Sequence, residues 1–345
     1  MADDFKYRID HHGSLIRPSG LMEARRRWQA GAIDEEELRR VEEEAIAEAV
    51  RLQRKLRFTV VTDGEFPRED TRSVVFDAVS GFRPTDELDA YGRVRWIADG
   101  ELKAERPLVA DRIAFLKEQT VIAPKVSLPS PAWLAAQCFE PSGPWRSARE
   151  LGEELARIIG EEIGRLVEAG VRLIQINNFA YARHLVPGRT PLLPLEDCIA
   201  IDTAAVSGVS RPEDVRIGLC PTHSAKGEVD TAAAARVFEE VPVDRWVLPY
   251  CGGTEGELAL LRAVPADRDA CLGVVDPRTP ELEDIDTVVA RMDAAAEVKD
   301  IDDMAVSPSE GFSDVAGRAV LNEDEQRRKL VHVETVARMC WGNEL

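Results

Sequence analysis

The segment SARELGEELARIIGEEIGRLVEAGVRLIQINN, residues 147–178, decides how the rest of the chain is read. Ser147 can cap a helix and Glu150, three residues on, can reciprocate. Apolar residues then recur at helical spacing until Gly170, which suits the left-handed stop of a helix. Directly behind it comes VRLIQINN, a short β-rich stretch. A capped amphipathic helix that runs straight into a buried strand is half of a βαβ repeat.

The same unit stands upstream. Asp34 and Glu37 open IDEEELRRVEEEAIAEAVRLQRKL (33–56), whose Leu38, Val41, Ala45, Ala49, Leu52 and Leu56 form one stripe, and FTVVTDGE (58–65) follows. Downstream stand VRIGLCPTH (215–223), RWVLPYCGG (245–253), ACLGVVDPR (270–278) and DDMAVSPSE (302–310), each separated by a helical segment. KYRIDHHGS (6–14) and VIAPKVSLPSP (121–131) complete the set at eight candidate strands. Their bodies read as apolar, as expected of strands covered on both faces. Strands alternating with helices predict a parallel sheet, and eight of them predict an α/β fold of the (β/α)8 TIM-barrel type. No Gly-rich turn follows an early strand, which disfavours a doubly wound sheet. The region around 80–120, with YGRVRWIADGELKA, reads as a β-hairpin excursion. No Ser- or Gly-rich linker divides the chain, so residues 1–345 are expected to form a single barrel domain.

The 345 residues carry a net charge of −19, which argues against nucleic acid or an anionic membrane as partner and leaves a small molecule. No window is apolar enough to span a membrane, and MADDFKYRID lacks the marks of a signal peptide, so a cytoplasmic location is expected. The six cysteines include no CxxC pair and are expected to be reduced. Oligomeric state is not legible.

Barrel enzymes build their sites at the C-terminal ends of the strands. Those ends carry His11-His12-Gly13-Ser14, Asp63-Gly64-Glu65, Ser130, Asn177-Asn178, Cys220 with His223, Tyr250-Cys251, Asp276-Pro277-Arg278 and Ser309-Glu310. Bland readings compete: Glu65 can simply pair with Arg68, the asparagines can cap a helix, and Cys220 can be a core thiol. Adjacent His11 and His12 point to opposite sides of an extended segment, so only one can face the site. Trp133 can stack on a flat ring or simply pack.

These motifs resemble the catalytic barrel of cobalamin-independent methionine synthase and its short stand-alone relatives. The resemblance rests on HHGSLIRPSG through TDGEFPR (11–68), KVSLPSP (125–131), IQIN (174–177), LGVVDPRTPELED (272–284) and SPSEGF (307–312), and spans nearly the whole chain. It implies a methyltransferase in which zinc, held by His, Cys, Glu and Cys, activates an acceptor thiol that takes a methyl group from a folate. The first two ligand positions, H-x-C in the family, fall on Cys220 and Thr222; the others fall on Pro249 and Glu310. The usual zinc site is therefore expected to be altered, and Asn177 stands where the family has an Asp for the substrate ammonium. Ser14 and Glu65 match other substrate contacts.

Two readings of the altered pocket follow. One is a rebuilt metal site from Cys220, His223, Cys251 and Glu310, serving methyl or alkyl transfer to a thiol. The other is a metal-independent lyase or hydrolase using Glu310, His223 and Cys220 with Glu65. Substrate contacts are expected from His11, His12, Ser14, Asn177, Asn178 and Tyr250. A non-catalytic small-molecule binder is the third class, and use of a folate is left open.

Overall fold

A computed structural model describes residues 7–89 and 92–342. Nine strands are present among them: β1 (Val60–Val61), β2 (Val79–Leu88), β3 (Val94–Ala104), β4 (Ala123–Pro129), β5 (Leu173–Asn177), β6 (Arg216–Cys220), β7 (Arg245–Pro249), β8 (Asp269–Val275) and β9 (Met304–Pro308). Seven of them form one parallel sheet in the order β1-β4-β5-β6-β7-β8-β9. The sheet closes through Ile9, which bridges to Val306 in parallel. Asp10 N–H donates to Val306 O (2.9 Å) and Val306 N–H to Arg8 O (2.9 Å), while Thr59 N–H reaches Ile9 O on the other side (3.1 Å). The eighth member of the barrel is thus a single bridge. Thr59 Oγ adds to this seam, accepting from Ile9 N–H (3.1 Å) and donating to Ile9 O (2.9 Å).

Local signals place the helices. Asp34 accepts Glu37 N–H (2.8 Å) at the head of Glu35–Lys55. Ser147 accepts Glu150 N–H (3.1 Å) at the head of Ala148–Ala169, which ends on Gly170 at φ 93°. One detail differs from the sequence expectation: the Glu150 carboxylate accepts from Arg146 N–H (2.8 Å), one residue before the cap. β2 and β3 form an antiparallel hairpin apart from the barrel sheet, packed by Ile97, Ala98 and Leu102. No helix among the described residues is long and apolar enough to cross a membrane.

The strands are covered on both faces, but they are not apolar throughout. Ile174, Ile176, Ile217, Leu219, Leu248, Leu272 and Val306 join the large core beneath the helices. Alternate positions are polar or small: Lys125, Ser127, Gln175, Asn177, Arg245 and Ser307 are all buried. Cys220, Val247, Cys271 and Ala305 form a separate small cluster with them. The period of two survives because the lumen is filled by a charge network instead of branched apolar side chains. Lys125 Nζ bonds Asp10 Oδ1 (2.6 Å), His11 O (2.6 Å) and Gln175 Oε1 (2.7 Å). Arg245 lies 3.8 Å from Asp10 and 3.7 Å from Asp269.

Candidate active site

Above that network the strand ends enclose a narrow polar cleft with an interior volume of about 20 Å³, lined by His12, Ser14, Glu65, Thr71, Arg93, Asn177, Phe179, His223, Gly311 and Asp314. Beneath it the lining residues His12 and His223 and the buried Cys220 bring one ligand-type atom each within 4.8 Å of the others. Cys220 ends β6, and Pro221-Thr222 turn the chain so that His223 comes back over it. The His12 and His223 rings meet edge to face at 5.3 Å, and Phe179 closes the other side of His223 at 4.4 Å.

Each member of the cluster is held from behind. His223 Nδ1 lies 3.3 Å from Glu310 Oε2, whose other oxygen is 3.1 Å from Arg278 Nε. His223 Nε2 is buried and has no hydrogen-bond partner. Burial opposes the imidazolium of His223, but the neighbouring Cys220 and then Glu310 and Asp314 outweigh this and raise its pKa well above the usual value. Burial, reinforced by His223 and Lys125, pushes His12 the opposite way, well below its usual value. Burial raises Cys138, Cys198 and Cys271 to about 12 and Cys340 to about 11, and raises Cys251 as well.

Glu65 reaches the cleft from an unusual backbone. It sits at φ 57° after Gly64 at φ 70°, in the left-handed region that costs a residue with a side chain about 1 kcal/mol or more. Asp63 Oδ1 accepting Glu65 N–H (2.8 Å) and Arg17 donating to Glu65 O (2.7 Å) hold it there. Its carboxylate accepts from Ser127 Oγ and lies 3.6 Å from Arg68, so the Arg68 pairing and the cleft position are both real. Burial raises its pKa against the lowering by Arg68 and Ser127. Ser14 donates to Asp314 Oδ1 (3.0 Å). Gly311 faces this pair so closely that a Cβ there would stand 2.0 Å from Ser14 Oγ and 2.4 Å from Asp314 Oδ1.

Several expected site residues face elsewhere. His11 points out under the helix Glu35–Lys55, bonded to Gln53 (2.9 Å) and edge-on to Phe58. Asn178 is fully buried, donating to Asp202 (2.6 Å) and accepting Ala180 N–H (2.9 Å), so of the two asparagines only Asn177 lines the cleft. Tyr250 donates to Arg291 O (2.9 Å) and packs in the core. Cys251 does not join the cluster, and Glu310 stands behind His223 instead of beside Cys220. The four-residue metal set expected from Cys220, His223, Cys251 and Glu310 is therefore not the one the fold assembles: His12 takes the place of Cys251. Trp133 is buried under Phe179 (5.1 Å) and Arg93 (5.6 Å), so it packs and presents no open face to a flat ring.

The sequence reading missed Asp314, Gly311, Phe179, Thr71 and the hairpin residue Arg93. It also missed Asp10, Lys125 and Arg245; for the last two the signal was available, a charge inside an otherwise apolar strand. The donor chemistry at the floor fits a zinc-type ion, since two imidazoles and a thiol leave one position open for substrate. The unpartnered His223 Nε2 and the carboxylate behind Nδ1 are the arrangement expected of such a ligand.

Residues 13–333 match the sequence profile of the cobalamin-independent synthase catalytic domain. The uncharacterised protein YxjH of Bacillus subtilis is 28% identical over 97% of this chain and 95% of its own. The 5-methyltetrahydropteroyltriglutamate–homocysteine methyltransferase of Rhodococcus jostii is 27% identical over 87% of this chain and 39% of its own. Among solved structures, a vitamin-B12-independent methionine synthase candidate from Listeria monocytogenes superposes with a TM-score of 0.78 at 25% identity, covering 98% of both chains. A B12-independent methionine synthase from Shewanella, in complex with selenomethionine, shares the fold with a TM-score of 0.75 at 18% identity, covering 96% of this chain and 97% of that one.

Proposed function

The chain belongs to the cobalamin-independent synthase catalytic-domain family, and from that premise we propose that it transfers a methyl or other small alkyl group to a thiol substrate bound over the His12–Cys220–His223 cluster, on a substrate diverged from that of methionine synthesis. The observation that carries the reading is the convergence of these three donors, within 4.8 Å, at the floor of a small polar cleft. They are the residues that would hold zinc. A bound zinc ion lowers the pKa of a coordinated thiol toward neutrality while leaving its sulfur nucleophilic.

The chain's own residues then have separable tasks. Glu310 accepts from His223 Nδ1 and fixes the ring so that Nε2 faces the cluster. Asp314 and Glu65 offer carboxylates to a cationic end of the substrate, with Ser14 hydroxyl and Asn177 amide between them. Phe179 covers His223 and excludes water from the reacting sulfur. The selenomethionine in the Shewanella enzyme is a ligand of the amino-acid thioether class that such a cleft suits. Divergence is supported by Asn177 and Pro249, which stand where the family resemblance expects two carboxylates.

Titration of the purified, metal-stripped protein with Co²⁺ tests the proposal. One equivalent should bind with a thiolate charge-transfer band that is lost in Cys220→Ser, and homocysteine or another small thiol should alter that band. A protein that binds no cation, or whose band ignores every thiol offered, is not an enzyme of this kind.

A further inference from the structure

The two histidines of the cluster are held in opposite senses. His223 turns Nδ1 to a carboxylate, an acceptor, so Nδ1 carries a proton, and its Nε2 is left without a hydrogen-bond partner. His12 turns Nδ1 to Gln175 Nε2 at 3.3 Å. Which end of that amide faces the ring is settled by Lys125. The ammonium has donors only, and it spends them on Asp10 Oδ1, His11 O and Gln175 Oε1. The amide oxygen is thereby committed to Lys125 and the NH₂ is directed upward. One of its hydrogens goes to Asn177 Oδ1 (2.8 Å), and the other is left for His12 Nδ1.

We infer that the buried Lys125, through Gln175, holds His12 in the tautomer that carries its N–H on Nε2, and that this lock sets how readily the His12–Cys220–His223 cluster takes up a divalent cation. A ring that donates from Nε2 can hydrogen-bond a thiolate or a substrate atom, but it has no lone pair there for a metal. To ligate through Nε2, His12 must carry its proton on Nδ1, donor facing donor against the Gln175 amide. His223 can ligate through Nε2 with its Glu310 contact intact, whereas His12 is a reluctant ligand. Gln175 and Lys125 are positioning residues in this scheme, since neither lines the cleft. The cation half of the inference rests on the cluster being a metal site; the tautomer half does not. The carbonyl of Pro308 is a further partner of the ring and accepts an imidazole N–H.

The test uses ¹⁵N-labelled full-length protein without metal, with the His12 signals assigned by difference from His12→Gln. Long-range ¹H–¹⁵N correlation should show His12 protonated on Nε2 in the wild type. Gln175→Glu places an acceptor at Nδ1 beside Lys125 and should reverse the tautomer. Gln175→Met simply removes the donor. Zinc affinity, measured by competition with a chromophoric chelator, should rise about tenfold or more in both variants, the scale on which second-shell partners act. A wild-type His12 protonated on Nδ1 overturns the inference. So does a reversed tautomer without gain in zinc affinity. If neither wild type nor variants bind zinc, the cation reading of the cluster fails, and the tautomer assignment is decided by the spectra alone.

Discussion

Lys125→Met is the most informative perturbation of the barrel interior. The Lys125 and Asp10 side chains are each 1% exposed, and the ammonium makes three contacts of 2.6–2.7 Å. Its loss leaves the Asp10 carboxylate with His11 N–H (2.7 Å), a weak contact from Cys271 Sγ (3.9 Å), and Arg245 at 3.8 Å, too far for a direct hydrogen bond. Breaking one side of a buried pair costs about 3–5 kcal/mol, because the remaining charge stays desolvated. An exposed helix pair such as Arg39–Glu43 is worth no more than about 0.5 kcal/mol, so Arg39→Ala serves as the control. Urea unfolding, followed by circular dichroism and tryptophan fluorescence together, measures both, provided the two probes agree. Asp10→Asn in the Lys125→Met background removes the stranded charge. The double variant should therefore be more stable than the sum of the single losses by about 1–3 kcal/mol. A loss below about 1 kcal/mol in Lys125→Met, or strict additivity in the double variant, would refute the reasoning that the lumen charges act as one unit.

Two further outcomes are expected. Gly311→Ala drives a methyl group into Ser14 and Asp314, so thiol-ligand affinity should fall at least about tenfold with the unfolding midpoint little changed; calorimetric titration giving wild-type affinity would show that this contact is not part of the ligand site. His11 is neutral in the fold, its pKa lowered from 6.5 to about 4 by burial and by Lys125. Its contribution to stability is therefore complete above pH 6.5 and is lost as pH falls toward 4. Between pH 6.5 and 5 this removes up to about 2 kcal/mol. His11→Gln should flatten that part of the stability profile relative to wild type, and an unchanged slope would count against the assignment.

Much of the fold was legible because its signals are local. Asp34, Ser147 and Gly170 mark helix ends by side-chain and backbone chemistry that needs no distant partner. The alternation of helices with short strands leaves few alternatives to a parallel barrel. What the strands carry inside was misjudged. Lys125 and Arg245 are costly in a lumen unless Asp10 and Asp269 arrive from other strands, and that meeting depends on closure through Ile9. The same holds for the site. His12, Ser14, Glu65, Asn177, Cys220 and His223 were legible as strand-end candidates, but in each adjacent pair the direction was not, and Thr71, Arg93, Phe179, Gly311 and Asp314 reach the cleft only through the tertiary fold.

By itself the sequence determined the order of elements, the family, and the set of strand-end residues from which a site has to be built. Tertiary structure alone decided that His12 and Asn177 face the cleft while His11 and Asn178 face away. It also decided that His12, rather than Cys251, completes the cluster with Cys220 and His223. The reason is geometric. Side chains alternate across a strand with a period of two, so a shift of one residue in register exchanges the inner and outer sets. The register is fixed only when all the strands have closed on one another.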